Sequence, residues 1–233
     1  RFDVKLEQAK EMFRESLDIY EMAFSTNEYQ YDGEFYQIPK APLSISPVQT
    51  EIPETWITGL SDSPELMKRI AQSGYTPFAT AGPRSASSLL SVKRRWQEKY
   101  EEVGKDPAEM PFAIQRNLFI SDNPSEVGHA ADSIRYTARV ATSMRNRTQS
   151  LNGNMLEEFP ADGELSLDEI ETNALIGDVQ KCSDQLIAEL EEIQPTHVSL
   201  FVQFGDLPQG QVMHSLEQFG ETVLPQVRQH FPH

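Results

Sequence analysis

The strongest constraint on the fold is an alternation of short apolar segments with amphipathic helical segments along most of the chain. The predicted strands lie at 55–59, 76–81, 112–121 and 197–204. Helical periodicity follows each of them, at 63–73, 85–103, 124–143 and 212–224. Alternation of this kind favours parallel strands joined by right-handed helical crossovers. The sequence therefore predicts an α/β fold of the TIM-type (β/α)8 barrel, of which this chain supplies about the last four βα units.

The segments outside these units are also distinctive. Residues 3–24 predict an amphipathic helix, and residues 28–38 predict a β-hairpin around an Asp32-Gly33 turn pair. Short helices are expected at 166–173 and 179–193, and Pro225 is expected to end the last helix. We interpret residues 1–233 as a single domain, in which the polar stretch 145–163 is a mobile insertion or loop.

Composition excludes several classes of function. Lys plus Arg is 20 and Asp plus Glu is 36, which gives a formal net charge of −16. This balance disfavours binding to nucleic acid or to an anionic membrane surface. A single cysteine, Cys182, excludes a disulfide framework, and the histidines lack the spacing of a metal site. With no apolar run of about 20 residues and no visible targeting segment, the sequence predicts a cytoplasmic location.

Candidate site residues follow from the rule that βα barrels bind ligands at the C-terminal ends of their strands. Thr58 and Gly59 end the first predicted strand, and Ser63 begins the helix after it. The free N–H groups of a helix start suit a phosphate, but Ser63 is also a good residue for capping its own helix. Both uses remain open. The second strand ends in small residues from Ala79 to Gly82, which suit either a flat ligand or close packing.

The third and fourth strands add further candidates. The run Gln115-Arg116-Asn117 is polar within an otherwise apolar strand. A buried Arg116 needs either a carboxylate partner, as in a structural ion pair, or an anionic ligand. Phe204 is either a stacking residue or core. His197 begins the fourth strand, the end opposite to the expected site, so we interpret it as structural.

Established motifs of other enzyme classes are absent from the sequence. There is no nucleophile elbow, no G-x-G-x-x-G and no P-loop. Hydrolase, Rossmann dehydrogenase and kinase functions therefore have no support.

Several short segments in a fixed order carry a resemblance to a known family. They are Tyr31–Tyr36, Trp56–Gly59 with Ser61 and Ser63–Glu65, Ala71–Gly74, Ile176–Asp178, Gly205–Pro208, Ser215–Phe219 and Val223–Pro225. On these residues the chain resembles the C-terminal two-thirds of the luciferase-like flavin-dependent monooxygenases, the superfamily of the bacterial luciferase subunits. The resemblance covers nearly all of the chain.

The resemblance implies a barrel that binds FMN. Reduced FMN, supplied by a separate flavin reductase, would react with O2 to a C4a-hydroperoxide that oxygenates a hydrophobic organic substrate of the long-chain aldehyde, alkane or terpene type. By position, the cofactor-binding residues would be Thr58, Gly59, Leu60, Ser61, Ser63 and Thr80. The first three would line the flavin, Ser61 would contact its phosphate with Ser63 nearby, and Thr80 would lie beside the ring. Pro64 departs from the family pattern, because relatives can carry a phosphate-binding hydroxyl there.

The resemblance also leaves alternatives. A second hypothesis is an F420-dependent oxidoreductase of the same fold, and a third is a non-catalytic partner subunit of a flavin-binding homologue. A homo- or heterodimer is expected in each case. The family's first strands carry much of the pocket, including a candidate catalytic histidine, and have no counterpart in this chain. We therefore expect the chain alone to be incomplete, and the catalytic residues stay unknown.

Overall fold

The structure, a computed structural model, describes residues 5–26, 28–42, 48–49, 51–59 and 63–231. Contacts divide the chain into two units, one up to Trp56 and one from Ile57 onward. The single-domain interpretation stays a prediction.

The first unit consists of a helix and a two-stranded hairpin. It contains α1 (Ala9–Ser25), β1 (Glu28–Asp32) and β2 (Gln37–Pro42), with a short 3-10 turn at Leu6–Gln8. The predicted two-residue turn at Asp32-Gly33 is wrong, because Asp32 pairs with Gln37 and the connection is residues 33–36.

A buried carboxylate explains the wider turn. Glu15 of α1 is 2% exposed and accepts hydrogen bonds from the backbone N–H groups of Glu34, Phe35 and Tyr36 at 2.8–3.0 Å. A four-residue connection leaves these amide groups without strand partners, and the carboxylate satisfies them. Burial acts to raise the pKa of Glu15, but the three donors outweigh it and hold the pKa below its ordinary value.

The second unit is built from βα segments. In chain order the elements from the unit boundary onward are β3 (Trp56–Thr58), α2 (Pro64–Ser73), β4 (Thr76–Thr80), α3 (Ser87–Glu102), β5 (Ala113–Ile120), α4 (Pro124–Asn146), β6 (Leu151–Asn152), β7 (Met155–Leu156), α5 (Leu167–Asn173), β8 (Leu175–Gly177), α6 (Val179–Ile193), β9 (His197–Phe201), α7 (Gln209–Gln218) and α8 (Leu224–His230). The four predicted strands are present as β3, β4, β5 and β9.

A five-stranded sheet organises this unit. Its path runs β3-β4-β5-β8, and β9 also pairs with β5. The pairs of β5 with β4, β8 and β9 are parallel, which confirms the predicted α/β architecture with a parallel sheet. Strand β8 was not predicted. It pairs with Leu118–Ile120 of β5, whereas β9 pairs with the preceding residues 113–117.

The two faces of β5 carry different sets of side chains. Ile114, Arg116 and Leu118 on one face are at most 1% exposed. Leu118 belongs to an apolar cluster with Leu175, Cys182, Leu186 and Val223. Because side chains alternate along a strand, Gln115, Asn117 and Phe119 share the opposite face.

The contacts of Arg116 decide between the two partners that the sequence leaves open for it, a carboxylate of the protein and an anionic ligand. Its Nε and one Nη donate to the two carboxylate oxygens of Glu189 on α6, each at 2.9 Å. It also donates to the backbone carbonyls of Arg84 and Asn173. The structural ion pair is therefore confirmed. Burial raises the pKa of Glu189, and the Arg116 guanidinium acts in the opposite direction.

The end of the chain differs from the prediction. Helix α7 passes through a π-helical segment, Phe219–Val223, directly into α8. Pro225 lies in the first turn of α8 and does not end the helix. A proline has no backbone N–H to bond to the residue four positions earlier, and the π-helical turn before it accommodates this loss.

The polar stretch 145–163 contains secondary structure. Helix α4 extends to Asn146, and β6 and β7 form a small antiparallel hairpin in which Asn152 pairs with Met155. Gly153 takes a positive φ of 63° at its turn. The mobility of the stretch stays a prediction.

The helices of the described part of the chain are short or amphipathic relative to membrane-spanning helices. None of its helices combines the length and the apolar composition that crossing a bilayer requires.

Candidate functional site

A cavity of about 450 Å³ lies in the second unit, at the C-terminal ends of β4 and β9 and beside the middle of β5. Thr80 of β4, Gln115 and Asn117 of β5, and Phe201 of β9 line it from the sheet. Helix α4 and residues 161–165 supply further walls. The position agrees with the rule that placed the candidate residues at these strand ends.

The sheet register explains why these four side chains face one space. Thr80 pairs with Gln115, and Asn117 pairs with Phe201. Paired residues of neighbouring strands project to the same face of a sheet, and residues two positions apart on one strand do so too. Gly82, with a φ of 58°, turns the chain after β4, and the following Pro83 and Arg84 continue along the cavity edge.

Helix α4 adds an apolar and cationic wall. Its lining residues include Ile134, Ala138 and Ala141, together with the arginines Arg135 and Arg139. These positions recur at intervals of three and four residues, so they share one side of the helix. The same helix packs Ala130, Ala131 and Ile134 against Phe119, which anchors it to the sheet.

An ion pair ties the 161–165 segment to α4. Arg139 Nε donates to Glu164 Oε2 at 2.7 Å, and its Nη2 donates to Oε1 of the same carboxylate. Arg139 also lies 3.6 Å from Glu158. The hydrogen bonds from Arg139 lower the pKa of Glu164 to about 2. The carboxylate in turn accepts from the backbone N–H of Ala161, which fixes the turn of this wall.

We expect Glu164→Gln to loosen this wall. A neutral amide loses the charge-assisted pairing with Arg139, and partly exposed pairs of this kind contribute up to roughly 1 kcal/mol. Limited proteolysis between Glu157 and Leu165 should therefore be about fivefold faster at neutral pH. Acid should act in the same direction on the unmodified protein. A folded-state pKa below the ordinary 4.5 means that the stabilisation is present above pH 4.5 and is lost as the pH falls toward about 2. Equal cleavage rates for the variant and the wild type would contradict the assignment.

Only some of the predicted cofactor residues lie at the cavity. Thr80 lines the cavity. Thr58 and Gly59 are exposed at the end of β3, and Gly59 has a φ of 78°. Leu60 and Ser61 lie outside the described residues. Ser63 is 5% exposed, stands before the first residue of α2 and does not line the cavity. Cofactor binding by these residues stays a prediction.

The structure bears on the two uses that the sequence leaves open for Ser63, helix capping and phosphate binding. Its side chain makes no capping hydrogen bond to α2. By contrast, the side chains of Asn123 and Asp178 accept hydrogen bonds from the first turns of α4 and α6. The structure therefore gives no support to the reading that Ser63 serves only to cap its helix.

Sequence reasoning missed part of the site. Gln115 and Asn117 belong to the polar run of the third predicted strand, and both line the cavity. Phe204 is 3% exposed and belongs to the apolar cluster around Phe119, so it is core and not a stacking residue. The aromatic residue at the cavity is Phe201, which is 38% exposed. The α4 residues were not predicted, because helical periodicity alone does not say which helix face meets a cavity.

The chemistry available in this cavity is that of binding and orientation. Amides, a hydroxyl, guanidinium groups and an aromatic ring can hold a planar polar ligand between apolar walls. Within the described ranges, no three His, Cys, Asp or Glu residues are grouped so as to hold a metal ion. His129 bonds to Asp206 at 2.7 Å and His197 to Thr196 at 3.2 Å, and neither histidine lines the cavity.

Comparison with known sequences identifies a family and a relative. A family model described as luciferase-like monooxygenase matches residues 1–197. An uncharacterized protein, y4vJ, from Sinorhizobium fredii (strain NBRC 101917 / NGR234), is 27% identical over 229 residues. That match covers 98% of this chain and 65% of y4vJ, so the chain spans about two thirds of the length of this relative.

Solved structures share the fold. The monooxygenase RslO1 from Streptomyces bottropensis has a TM-score of 0.74 at 14% identity, covering 96% of this chain and 63% of that protein. The oxygenating constituent of 3,6-diketocamphane monooxygenase from Pseudomonas putida, in complex with FMN, has a TM-score of 0.66 at 19% identity, with coverages of 93% and 62%. An F420-dependent secondary alcohol dehydrogenase with an F420-acetone adduct has a TM-score of 0.68 at 19% identity, with coverages of 97% and 64%.

Proposed function

The chain belongs to the luciferase-like monooxygenase family, and from that premise we propose that the protein is a flavin-dependent monooxygenase. It would use reduced FMN and O2 to oxygenate a hydrophobic organic substrate. The observation that carries this proposal is the cavity at the C-terminal ends of β4 and β9 and beside the middle of β5, lined by side chains that the sheet register turns toward it. The chain covers 65% of its curated relative y4vJ, so the activity of a whole protein is part of the proposal.

The residues at the cavity fit a flavin ring. An isoalloxazine is flat, with an apolar edge and a polar edge. Phe201 and Ile134 offer apolar contact, whereas the amides of Gln115 and Asn117 can exchange hydrogen bonds with the polar edge. Thr80 would lie beside the ring, as the family resemblance implies. When bound, reduced flavin supplies the reactivity toward O2.

The protein's own residues would orient the ligand and exclude water. Ala138 and Phe201 give apolar walls around the reacting region. The wall held by Arg139 and Glu164 covers one side and limits solvent access. We propose that a separate flavin reductase delivers reduced FMN, and that the protein acts as a homo- or heterodimer. Thr58, Gly59 and Leu60 would line the flavin, and Ser61, with Ser63 nearby, would contact its phosphate.

We expect Thr80→Trp to abolish tight flavin binding. Thr80 is exposed to the cavity, so a large indole there fills the proposed ring site without disturbing the core. The dissociation constant for FMN, measured by quenching of flavin fluorescence in the purified protein, should rise by roughly 30-fold or more, about 2 kcal/mol of binding free energy. Thr172→Trp, at an exposed position on α5 away from the cavity, is the matched control and should bind FMN normally. Unchanged binding by Thr80→Trp would contradict the proposed site.

A second candidate is an F420-dependent oxidoreductase of the same fold. It is favoured by the similarity to the F420-dependent secondary alcohol dehydrogenase, whose TM-score of 0.68 is close to the 0.66 of the FMN-containing constituent. Parallel titrations with FMN and F420 separate the two. Tighter binding of F420, with substrate-dependent bleaching at about 420 nm and no O2 uptake, would favour the second candidate. A protein that binds neither would instead match a non-catalytic partner subunit.

A further inference from the structure

The cavity is rich in arginine although the protein is strongly acidic. Asp plus Glu outnumber Lys plus Arg by 36 to 20 in the whole chain. The cavity lining reverses this ratio, with four arginines against two acidic residues. The arginines are Arg84, Arg135, Arg139 and Arg145, and the acidic residues are Asp162 and Glu164.

The four arginines differ in how far they are already neutralised. Arg139 is occupied by Glu164 and Glu158. Arg84 donates only to the backbone carbonyl of Ala81, at a long 3.4 Å, and has no carboxylate partner among the described residues. The side chain of Arg145 makes no hydrogen bond or ion pair with any residue that the structure describes.

Arg135 is the most informative of the four. One of its Nη atoms bonds to Asp132, the neighbour on the same helix. Its Nε is buried and has no hydrogen-bond partner in the described part of the chain. A donor of a charged group without an acceptor is unfavourable. The Nε itself is closed to solvent, whereas the Arg135 side chain as a whole is 28% exposed and lines the cavity, so a ligand would reach the guanidinium through its exposed part. The guanidinium fork offers its donors in the geometry that a carboxylate, phosphate or sulfonate accepts.

We propose that the organic substrate of this site carries an anionic group, a carboxylate, phosphate or sulfonate, which Arg135 binds while Arg84 and Arg145 contribute attractive charge. The hydrophobic part of the same molecule lies against Ala138 and Ala141 of α4. Arg135 and Arg145 are ten residues apart on one helix, about 15 Å along its axis, so they do not contact one small anion together. Arg145 acts at the cavity mouth, as a charge that draws the anion in.

The assignment to a substrate rests on the proposed function. Under the proposed function, the phosphate of the cofactor binds at the start of α2. Ser63, at that helix start, does not line the cavity. Thr80 lines the cavity together with the arginines. A flavin whose ring lies beside Thr80 and whose phosphate lies at the start of α2 would leave the arginines of α4 to a second molecule. The alternative source of the anion is the phosphate of the cofactor itself. Binding of FMN and of riboflavin to the Arg135→Gln protein distinguishes a substrate anion from the cofactor phosphate.

The test compares matched ligands that differ only in charge. Octanoate and 1-octanol have the same hydrocarbon body, and calorimetric titration of the purified protein gives both dissociation constants. We expect octanoate to bind at least tenfold more tightly, with a preference that weakens as salt increases. Arg135→Gln should remove most of the preference, and Arg135→Lys should restore part of it because the charge returns without the fork. Arg84→Gln with Arg145→Gln should reduce it about three- to tenfold.

The control carries the same charge change on a different surface. Arg94→Gln with Arg228→Gln removes two exposed arginines that do not line the cavity, and it should leave the preference unchanged. Equal binding of octanoate and 1-octanol, or a preference that survives Arg135→Gln, would overturn the proposal. So would an Arg135→Gln protein that loses affinity for FMN but not for riboflavin, because the arginine would then belong to the cofactor phosphate.

Failure of the proposed function gives a different result. Flavin binding is measured separately, by fluorescence, in the same preparations. A protein that binds no flavin but retains an Arg135-dependent preference for octanoate supports the anion site and rejects the flavin site. A protein that binds FMN and shows no preference rejects the anion site alone.

Discussion

Replacing Arg116 with methionine is expected to lower the free energy of unfolding by about 3–5 kcal/mol. Arg116 is 1% exposed, and its partner Glu189 is 6% exposed. Removing the guanidinium leaves the buried Glu189 carboxylate without its countercharge, with the amide of Gln185 as a remaining donor. It also removes a donor from the backbone carbonyls of Arg84 and Asn173. These contacts join β5, α6 and the segment after β4, so the loss affects several elements at once.

Urea denaturation followed by circular dichroism measures this effect. Arg228→Met, at an exposed position of α8, is the matched control and should change the free energy of unfolding by no more than about 0.5 kcal/mol. The double variant Arg116→Met with Glu189→Leu should recover much of the loss, because it leaves no unpaired buried charge. A loss below about 1 kcal/mol for Arg116→Met would contradict the prediction, because only a solvent-exposed ion pair contributes so little.

Phe119→Ala is expected to destabilise the protein by about 3–5 kcal/mol and to weaken flavin binding with it. Phe119 is fully buried, at the point where β5 packs against Ala130 and Ile134 of α4. Ile134 and Ile170 belong to the same cluster and also line the cavity. A void at Phe119 therefore removes packing beneath the cavity wall that α4 forms, in addition to the transfer free energy of the ring.

A conservative variant separates these two consequences. Phe119→Leu retains most of the buried volume and should cost less than about 1.5 kcal/mol. It should bind FMN nearly as the wild type does, whereas Phe119→Ala should bind several-fold more weakly at a temperature where both remain folded. If Phe119→Ala lost stability but bound FMN normally, α4 would not be a functional wall of the site.

The predicted and observed folds agree where periodicity is long and regular. The βα alternation, and the parallel pairing of β4, β5 and β9, followed from strand and helix patterns alone. Strand β8 was missed because it has only three residues, Leu175–Gly177, placed directly between two helices. The β6–β7 hairpin was missed because Asn152-Gly153, although a recognised turn pair, lacks flanking strands with an alternating apolar pattern.

The site was predictable only in part. The rule on strand ends pointed to Thr80, and the polar run in β5 pointed to Gln115 and Asn117. The contribution of α4 could not be read from the sequence, because Arg135 and Arg139 resemble the solvent-exposed charges of any amphipathic helix. Their role depends on which way the helix faces, and the packing of Phe119 against α4 decides that.

Hydrogen exchange with and without saturating flavin tests the central claim most directly. If the cavity is the flavin site, FMN or F420 should slow amide exchange in peptides covering residues 78–84, 113–120 and 161–165, and leave residues 224–230 of α8 unchanged. Protection confined to segments away from the cavity, or no protection with either cofactor, would contradict the account.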